Sequence, residues 1–352
     1  MSKTYKIALD KLPELYAQTA ENRNLYLPIR RGGTLNFEAW HKDAAVDLYG
    51  LKTANTPKDL FLPQSEDLYT IKMDGTNIEV FAREFFDKPF AIFGIKACDI
   101  EAIKVLDNIY LSKQPVDMFY KARRDNAVLI SLACNEPKNA CFCHAFGLDA
   151  GNPGGDVTTW INGDNLYIQG QTDKGSAYVE EMSGLLEAAD FGDLSGLQAN
   201  IRETAQNLPY AKLPLDKGFT SEDMMAMFNS EQWGSFHRAC IGCGTCTYSC
   251  PTCSCYDIKD HDGGDCKGVT RFRCWDSCMY PDFTLMAHGN NRLTQKERFR
   301  QRFMHKLMYH PMNYEGQFGC VGCGRCINKC PVSLNIVKII KSLAEVKEDA
   351  NA

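Results

Sequence analysis

The 352-residue chain contains no run of eighteen apolar residues, so no bilayer-spanning helix is written into it. Its opening segment, MSKTYKIALDKLPELYAQ, has no apolar stretch ending in small residues, and no secretory signal is expected. Both absences place the chain in the cytoplasm, with docking on a membrane complex left open. Charge of one sign is lacking too. With 39 basic against 44 acidic side chains the net charge is −5, too small to argue for nucleic acid or a membrane surface. There is no low-complexity segment. No G-x-G-x-x-G follows a strand-like run and no Walker run occurs, so nicotinamide and flavin sites belong to other chains.

Cysteine is abundant. Seventeen thiols in a chain expected to stay in a reducing compartment do not read as a disulfide framework. They read as metal ligands, catalytic groups or buried core residues. Their distribution is uneven: Cys98, Cys134, Cys141 and Cys143 lie in the first 230 residues, and all others fall between Cys240 and Cys330.

Local patterning divides the chain in a similar way. Strand-like runs at 68–73, 78–81, 90–95 and 127–132 mix with helix-like runs at 12–22, 100–109 and about 176–207. Asn162-Gly163-Asp164 between apolar runs reads as a hairpin turn. The expectation is an α+β domain over residues 1–219, closed by a linker around Pro209 and Pro214. Residues 220–352 are expected to form a mainly α-helical ferredoxin-like domain. It opens on a helix capped by Thr220 or Ser221, with a loop-rich stretch at 257–268, a charged helical run at 293–309 and a final helix near 334–347.

Two segments carry the chemistry. Cys240-Ile-Gly-Cys243-Gly-Thr-Cys246-Thr-Tyr-Ser-Cys250-Pro251 and Cys320-Val-Gly-Cys323-Gly-Arg-Cys326-Ile-Asn-Lys-Cys330-Pro331 both follow C-x2-C-x2-C-x3-C-P, the pattern of bacterial [4Fe–4S] ferredoxins. A cysteine at every third residue of a tight loop points three thiolates at three corners of one cube, and the fourth reaches a different cube. The expected ligation crosses over: Cys240, Cys243, Cys246 and Cys330 hold one cluster, and Cys320, Cys323, Cys326 and Cys250 hold the other. Structural zinc would instead pair C-x2-C with a distant second pair. Crossing ties the ends of this region together, so metal loss should unfold it.

Other cysteines leave alternatives open. Cys134, Cys141 and Cys143 follow one strand-like run and Cys98 follows another. If those strands pair in parallel, the four thiols meet at one sheet edge and could hold a third [4Fe–4S] cluster; the other reading is a buried or reactive set. Cys253, Cys255, Cys266, Cys274 and Cys278 match no ligand pattern. They read as small soft core residues, with a cluster or zinc site drawn from four of them as the alternative. The basic run Arg292, Lys296, Arg298, Arg300, Arg302 and Lys306 places Arg298, Arg302 and Lys306 on one helix face. A solvated face is the ordinary reading, and cations placed around cluster thiolates or a docked partner the alternative. His144 and His305 lie near motifs but are assigned no ligand role.

Several pieces together resemble one family. Gly94-Ile-Lys-Ala-Cys98-Asp99-Ile100, the Cys134…Cys141-Phe-Cys143 group, Cys250-Pro-Thr-Cys253-Ser-Cys255, Trp275-Asp-Ser-Cys278, Arg300-Gln-Arg-Phe-Met-His305-Lys306 and Gly322-Cys-Gly-Arg-Cys326 are similar to the beta subunits of cytoplasmic sulfhydrogenases (hydrogenase/sulfur reductases) and to the A-type subunits of anaerobic sulfite reductases. The chain has Ala97 where that family commonly has Pro. The resemblance covers residues 94–331 and favours a cluster on Cys98, Cys134, Cys141 and Cys143. It implies an electron-transfer subunit working between a flavin/NAD(P)-binding partner and a hydrogenase, sulfite reductase or heterodisulfide-type reductase. The residues also allow a reductase with its own catalytic iron–sulfur site, or an iron–sulfur sensor.

Overall fold

The computed structural model describes residues 3–50, 52–83, 88–216, 219–264 and 268–350. Among the described residues, twelve strands build the two larger sheets, beside a two-stranded pair at Leu285–Met286 and Gly289–Asn290: β1 (Thr4–Ala8), β2 (Asn24–Arg31), β3 (Thr34–Ala39), β4 (Ser65–Asp74), β5 (Asn77–Ala82), β6 (Phe90–Ile95), β7 (Ala127–Leu132), β8 (Val157–Asn162), β9 (Asn165–Gly170), β10 (Glu187–Ala189), β11 (Tyr256–Asp262) and β12 (Val269–Trp275).

The larger sheet runs β10-β1-β9-β8-β7-β6-β2-β3. Its centre is parallel, with β2, β6, β7 and β8 aligned. Every residue of β6 (FAIFGI) and β7 (AVLISL) is buried, as a sheet covered on both faces requires. Alternation divides them between two cores. Ala91, Phe93, Val128 and Ile130 pack with Leu15 and Tyr16 of the helix Leu12–Asn22. Phe90, Ile92 and Leu129 pack with Ile100, Ile103 and Leu106 of the helix Ala97–Tyr110. β8 and β9 form the hairpin expected from Asn162-Gly163-Asp164, with Gly163 in the left-handed region.

Two expectations are corrected. The stretch 176–207 is two helices, Asp173–Glu181 and Ser195–Gln206, separated by β10, which pairs with the edge of β1. In the stretch 257–268, residues 257–262 are strand and residues 265–267 lie outside the described residues; β11 pairs with β12, and β12 continues onto β4, giving the second sheet in the order β11-β12-β4-β5. Most of β11 is exposed, so no apolar alternation advertised it. This hairpin draws residues after 220 into a sheet with residues before 219. The C-terminal part is therefore not helical throughout. Its cysteine runs and the helices Gln295–Met304 and Ile336–Ala350 flank a β-hairpin.

Buried ion pairs fasten this arrangement. The wholly buried Glu66 carboxylate on β4 lies between Arg123 and Arg273, and Arg273 also reaches Asp117. Arg325, beside Cys326, holds Asp99, beside Cys98, through two parallel bonds of 2.6 and 2.8 Å.

Candidate metal centre

Cys240, Cys243, Cys246 and Cys330 line one cavity, walled by Met279, Phe299 and Phe303. The tight loop turns backbone donors onto sulfur: Gly242 N donates to Cys240 Sγ at 3.4 Å, and Leu334 N to Cys330 Sγ at 3.2 Å. Gln295 Nε2 adds a bond of 3.3 Å to Cys240 Sγ. Cys250, Cys320, Cys323 and Cys326 line a second cavity. The structure thus brings together both four-cysteine sets expected from the crossed pattern. Cys326 and Arg302 line both cavities, so the two sites are immediate neighbours.

The residues fit iron–sulfur clusters on charge as well as on donor type. Arg302 and Lys306 are 3% and 5% exposed. Arg302 donates to Cys246 O, and Lys306 to Thr252 Oγ1 and Gly319 O. Among the described residues neither pairs with a carboxylate. Burying an unpaired cation costs several kcal/mol, and a cluster bearing four thiolates supplies the missing negative charge. The expectation of a solvated face for Arg298, Arg302 and Lys306 is therefore corrected: all three are buried. Burial, with neighbouring thiols, pushes Cys320 up to about 12 and Cys326 to about 11 against the pull of Lys306 and Arg302, whereas a coordinating metal deprotonates its thiols outright. Among the described residues, no three Cys, His, Asp or Glu side chains converge tightly enough to grip a single metal ion.

Cys98, Cys134, Cys141 and Cys143 gather around Lys52. β6 and β7 are parallel, so Cys98 in the first helical turn after β6 and Cys134 just after β7 both sit beyond carboxyl ends of strands, where open α/β sheets bind ligands. The Lys52 amine donates to Cys141 Sγ at 2.9 Å and to the carbonyl of Cys323. Burial works against its charge, yet the Cys98, Cys141 and Cys323 thiols hold its pKa above the ordinary lysine value. Burial raises Cys134 and Cys143, the latter to about 12, and in both Lys52 pulls the other way.

This group touches the second ferredoxin loop directly. Phe142 N donates to Gly322 O at 2.8 Å. A Cβ on Gly322 would lie 2.4 Å from Phe142 O, and one on Gly324 2.2 Å from Ala140 O. Both glycines have positive φ. No other residue lets the two cysteine loops lie backbone against backbone.

Sequence reasoning missed Lys52, which no motif marks. It also took the remaining cysteines together. Cys253, Cys255 and Cys278 share a third cavity, Cys274 lies on β12, and Cys266 is outside the described residues.

Comparison with known proteins agrees with this chemistry. Residues 239–334 match the family model described as a 4Fe-4S dicluster domain, which encloses both ferredoxin runs. The chain is 32% identical over 343 residues to the sulfhydrogenase 2 subunit beta of Pyrococcus furiosus, covering 97% of this chain and 98% of that protein. No helix among the described residues is long and apolar enough to cross a membrane. The chain is an iron–sulfur electron-transfer subunit with [4Fe–4S] cofactors, and it belongs to the family of sulfhydrogenase beta subunits.

Proposed function

We propose that this chain relays electrons between a flavin/NAD(P)-binding partner and a terminal partner of the hydrogenase, sulfite reductase or heterodisulfide-type reductase class. Cys240, Cys243, Cys246 and Cys330 hold one [4Fe–4S] cluster, Cys320, Cys323, Cys326 and Cys250 a second, and Cys98, Cys134, Cys141 and Cys143 a third. When bound, such groups take up and release one electron at a time. The observation that carries this reading is contiguity. The two ferredoxin cavities share Cys326 and Arg302, and Lys52 bridges the N-terminal thiols to the loop of Cys323. The series has an outlet: Cys243 is exposed and Ile241 beside it is 64% exposed, so the first site opens on a surface where a partner can dock.

The protein's own residues supply the setting. Arg302, Lys306 and Lys52 offset negative charge and favour the reduced form. Met279, Phe299 and Phe303 wall the first site with apolar side chains.

Iron analysis of anaerobically purified protein should give at least eight irons for the ferredoxin pair, at about four per cubane. Cys141→Ala should remove one further EPR component and spare those two. A yield of about two zinc ions in place of iron, or no half-integer-spin signal after reduction, would overturn the reading. An unchanged spectrum in Cys141→Ala would remove the third cluster from it.

A further inference from the structure

The third cavity is not explained by the ferredoxin runs. Cys253 and Cys255 follow the first run directly, and Cys278 arrives just after β12. All three line one space, which adjoins the cavity of the second run through Arg302 and Lys306. A core of soft apolar thiols would be lined by apolar neighbours. Here Arg302, Lys306, His305 and His310 line the wall. His310 is 2% exposed, and its Nε2 meets no hydrogen-bond partner. An orphaned polar atom at such depth is costly, and it leaves this nitrogen free to take a ligand.

The backbone prepares the site. The carbonyls of Cys253, Ser254 and Cys255 are each engaged, by Lys58 Nζ at 3.1 Å, Tyr110 Oη at 3.2 Å and Asp276 N at 3.0 Å. This fixes the short loop that presents two of the thiols. On the opposite wall the helix Gln295–Met304 passes into a π-helical segment, His305–Tyr309, before His310–Asn313. The widened turn puts His305, Lys306 and His310 on one cavity, where an ordinary α-turn would swing residues five apart away from each other. Such π segments are frequent at functional sites.

We propose that Cys253, Cys255, Cys278 and His310, through Nε2, hold an additional [4Fe–4S] cluster beside the second ferredoxin site. The donor set is three thiolates and one imidazole. Soft thiolates in this number suit an iron–sulfur cluster, and the iron and zinc analyses below separate it from zinc. A neutral imidazole in place of a thiolate leaves such a cluster less negative, and histidine ligation raises potential. Lys306 and Arg302 act in the same direction. This site is therefore the one in the chain that reduces first. The proposal rests on the reading that the neighbouring runs hold cubanes.

The test uses the full-length chain, purified anaerobically and followed by iron and sulfide analysis, EPR during a reductive titration, and nitrogen hyperfine spectroscopy. Cys278→Ser should lose about four irons and the component that reduces at the highest potential, with the ferredoxin signals retained. His310→Cys should keep its iron, lose the strongly coupled nitrogen and reduce at lower potential. Iron content and spectra unchanged in Cys278→Ser would overturn the proposal, as would nitrogen coupling that persists in His310→Cys. One zinc lost in place of iron would do the same. If Cys278→Ser misfolds and loses every signal, His310→Cys decides alone. Absence of the ferredoxin signals from the unaltered chain would instead sink the reading beneath the proposal, so the two failures are distinguishable.

Discussion

Lys52 shows how much a single buried charge can set. Its amine reaches Cys141 Sγ at 2.9 Å and the carbonyl of Cys323, 271 positions away in sequence. A cation this close to a cluster favours the form with one more electron. Two unit charges about 4 Å apart interact by roughly 4 kcal/mol at an effective dielectric of 20, and about 59 mV corresponds to a tenfold change for a one-electron couple. Allowing for screening, Lys52→Met should lower the potential of the proposed N-terminal cluster on the order of 100 mV, with the iron content unchanged. A redox titration followed by EPR measures this, and an unmoved midpoint would mean that the lysine only positions Cys141. At this scale the cysteines were legible and the cations were not. The thiols of each ferredoxin run are fixed by local loop geometry and so leave a spacing in the sequence. Lys52 does its work through a contact between distant segments, which no local pattern records. The basic run at 292–306 was visible, but side-chain lists cannot say whether a charged face meets water or thiolates.

Among the elements, the helix Gln295–Met304 has the greatest influence on the sites, because it carries Arg302 and leads into the π segment with Lys306. Its start is a capping box: Thr294 Oγ1 accepts from Glu297 N, and the Glu297 carboxylate accepts from Thr294 N at 2.8 Å. Thr294→Ala should cost about 1 kcal/mol, read as a lower midpoint in anaerobic denaturant unfolding. The backbone N–H of Thr294 holds the Glu297 carboxyl below its ordinary pKa. A group whose folded-state value is depressed contributes stability above its unfolded value and loses it as pH falls through the folded one. The difference between the unaltered chain and Glu297→Gln should therefore shrink on acidification below the ordinary glutamate range. Other elements were legible where both faces or one clear face are apolar, as in β6, β7 and the helix Leu12–Asn22. They were hidden where pairing replaces burial. β11 exposes most of its side chains, β2 carries Pro28 and two arginines, and β10 is a three-residue edge strand inside a stretch that patterns as helix.

For the whole molecule, the question is whether the sheet-rich part stands alone. A cut after residue 219 follows the proline-marked linker, and sequence composition supports it. Yet contacts cross that point at several places. β12 covers one edge of β4, Arg273 reaches Glu66 and Asp117, Arg325 clasps Asp99, and the Cys323 loop lies on the backbone of residues 140–143. Removing residues 220–352 would leave β4 as an open strand edge, a template for aggregation. It would also uncover Cys98, Ala102 and Val105, which pack with Val321 and Cys323. Domain stability is only about 5–15 kcal/mol, so losses at four separate contacts are not tolerated. The fragment 1–219 is expected to be insoluble or to elute as an aggregate in gel filtration, while the intact holoprotein unfolds in one cooperative step that carries cluster bleaching and loss of sheet signal together. A monomeric fragment with its own sharp thermal transition would show that the large sheet holds itself. The hairpin would then be an attachment between two independent folds rather than part of a shared one.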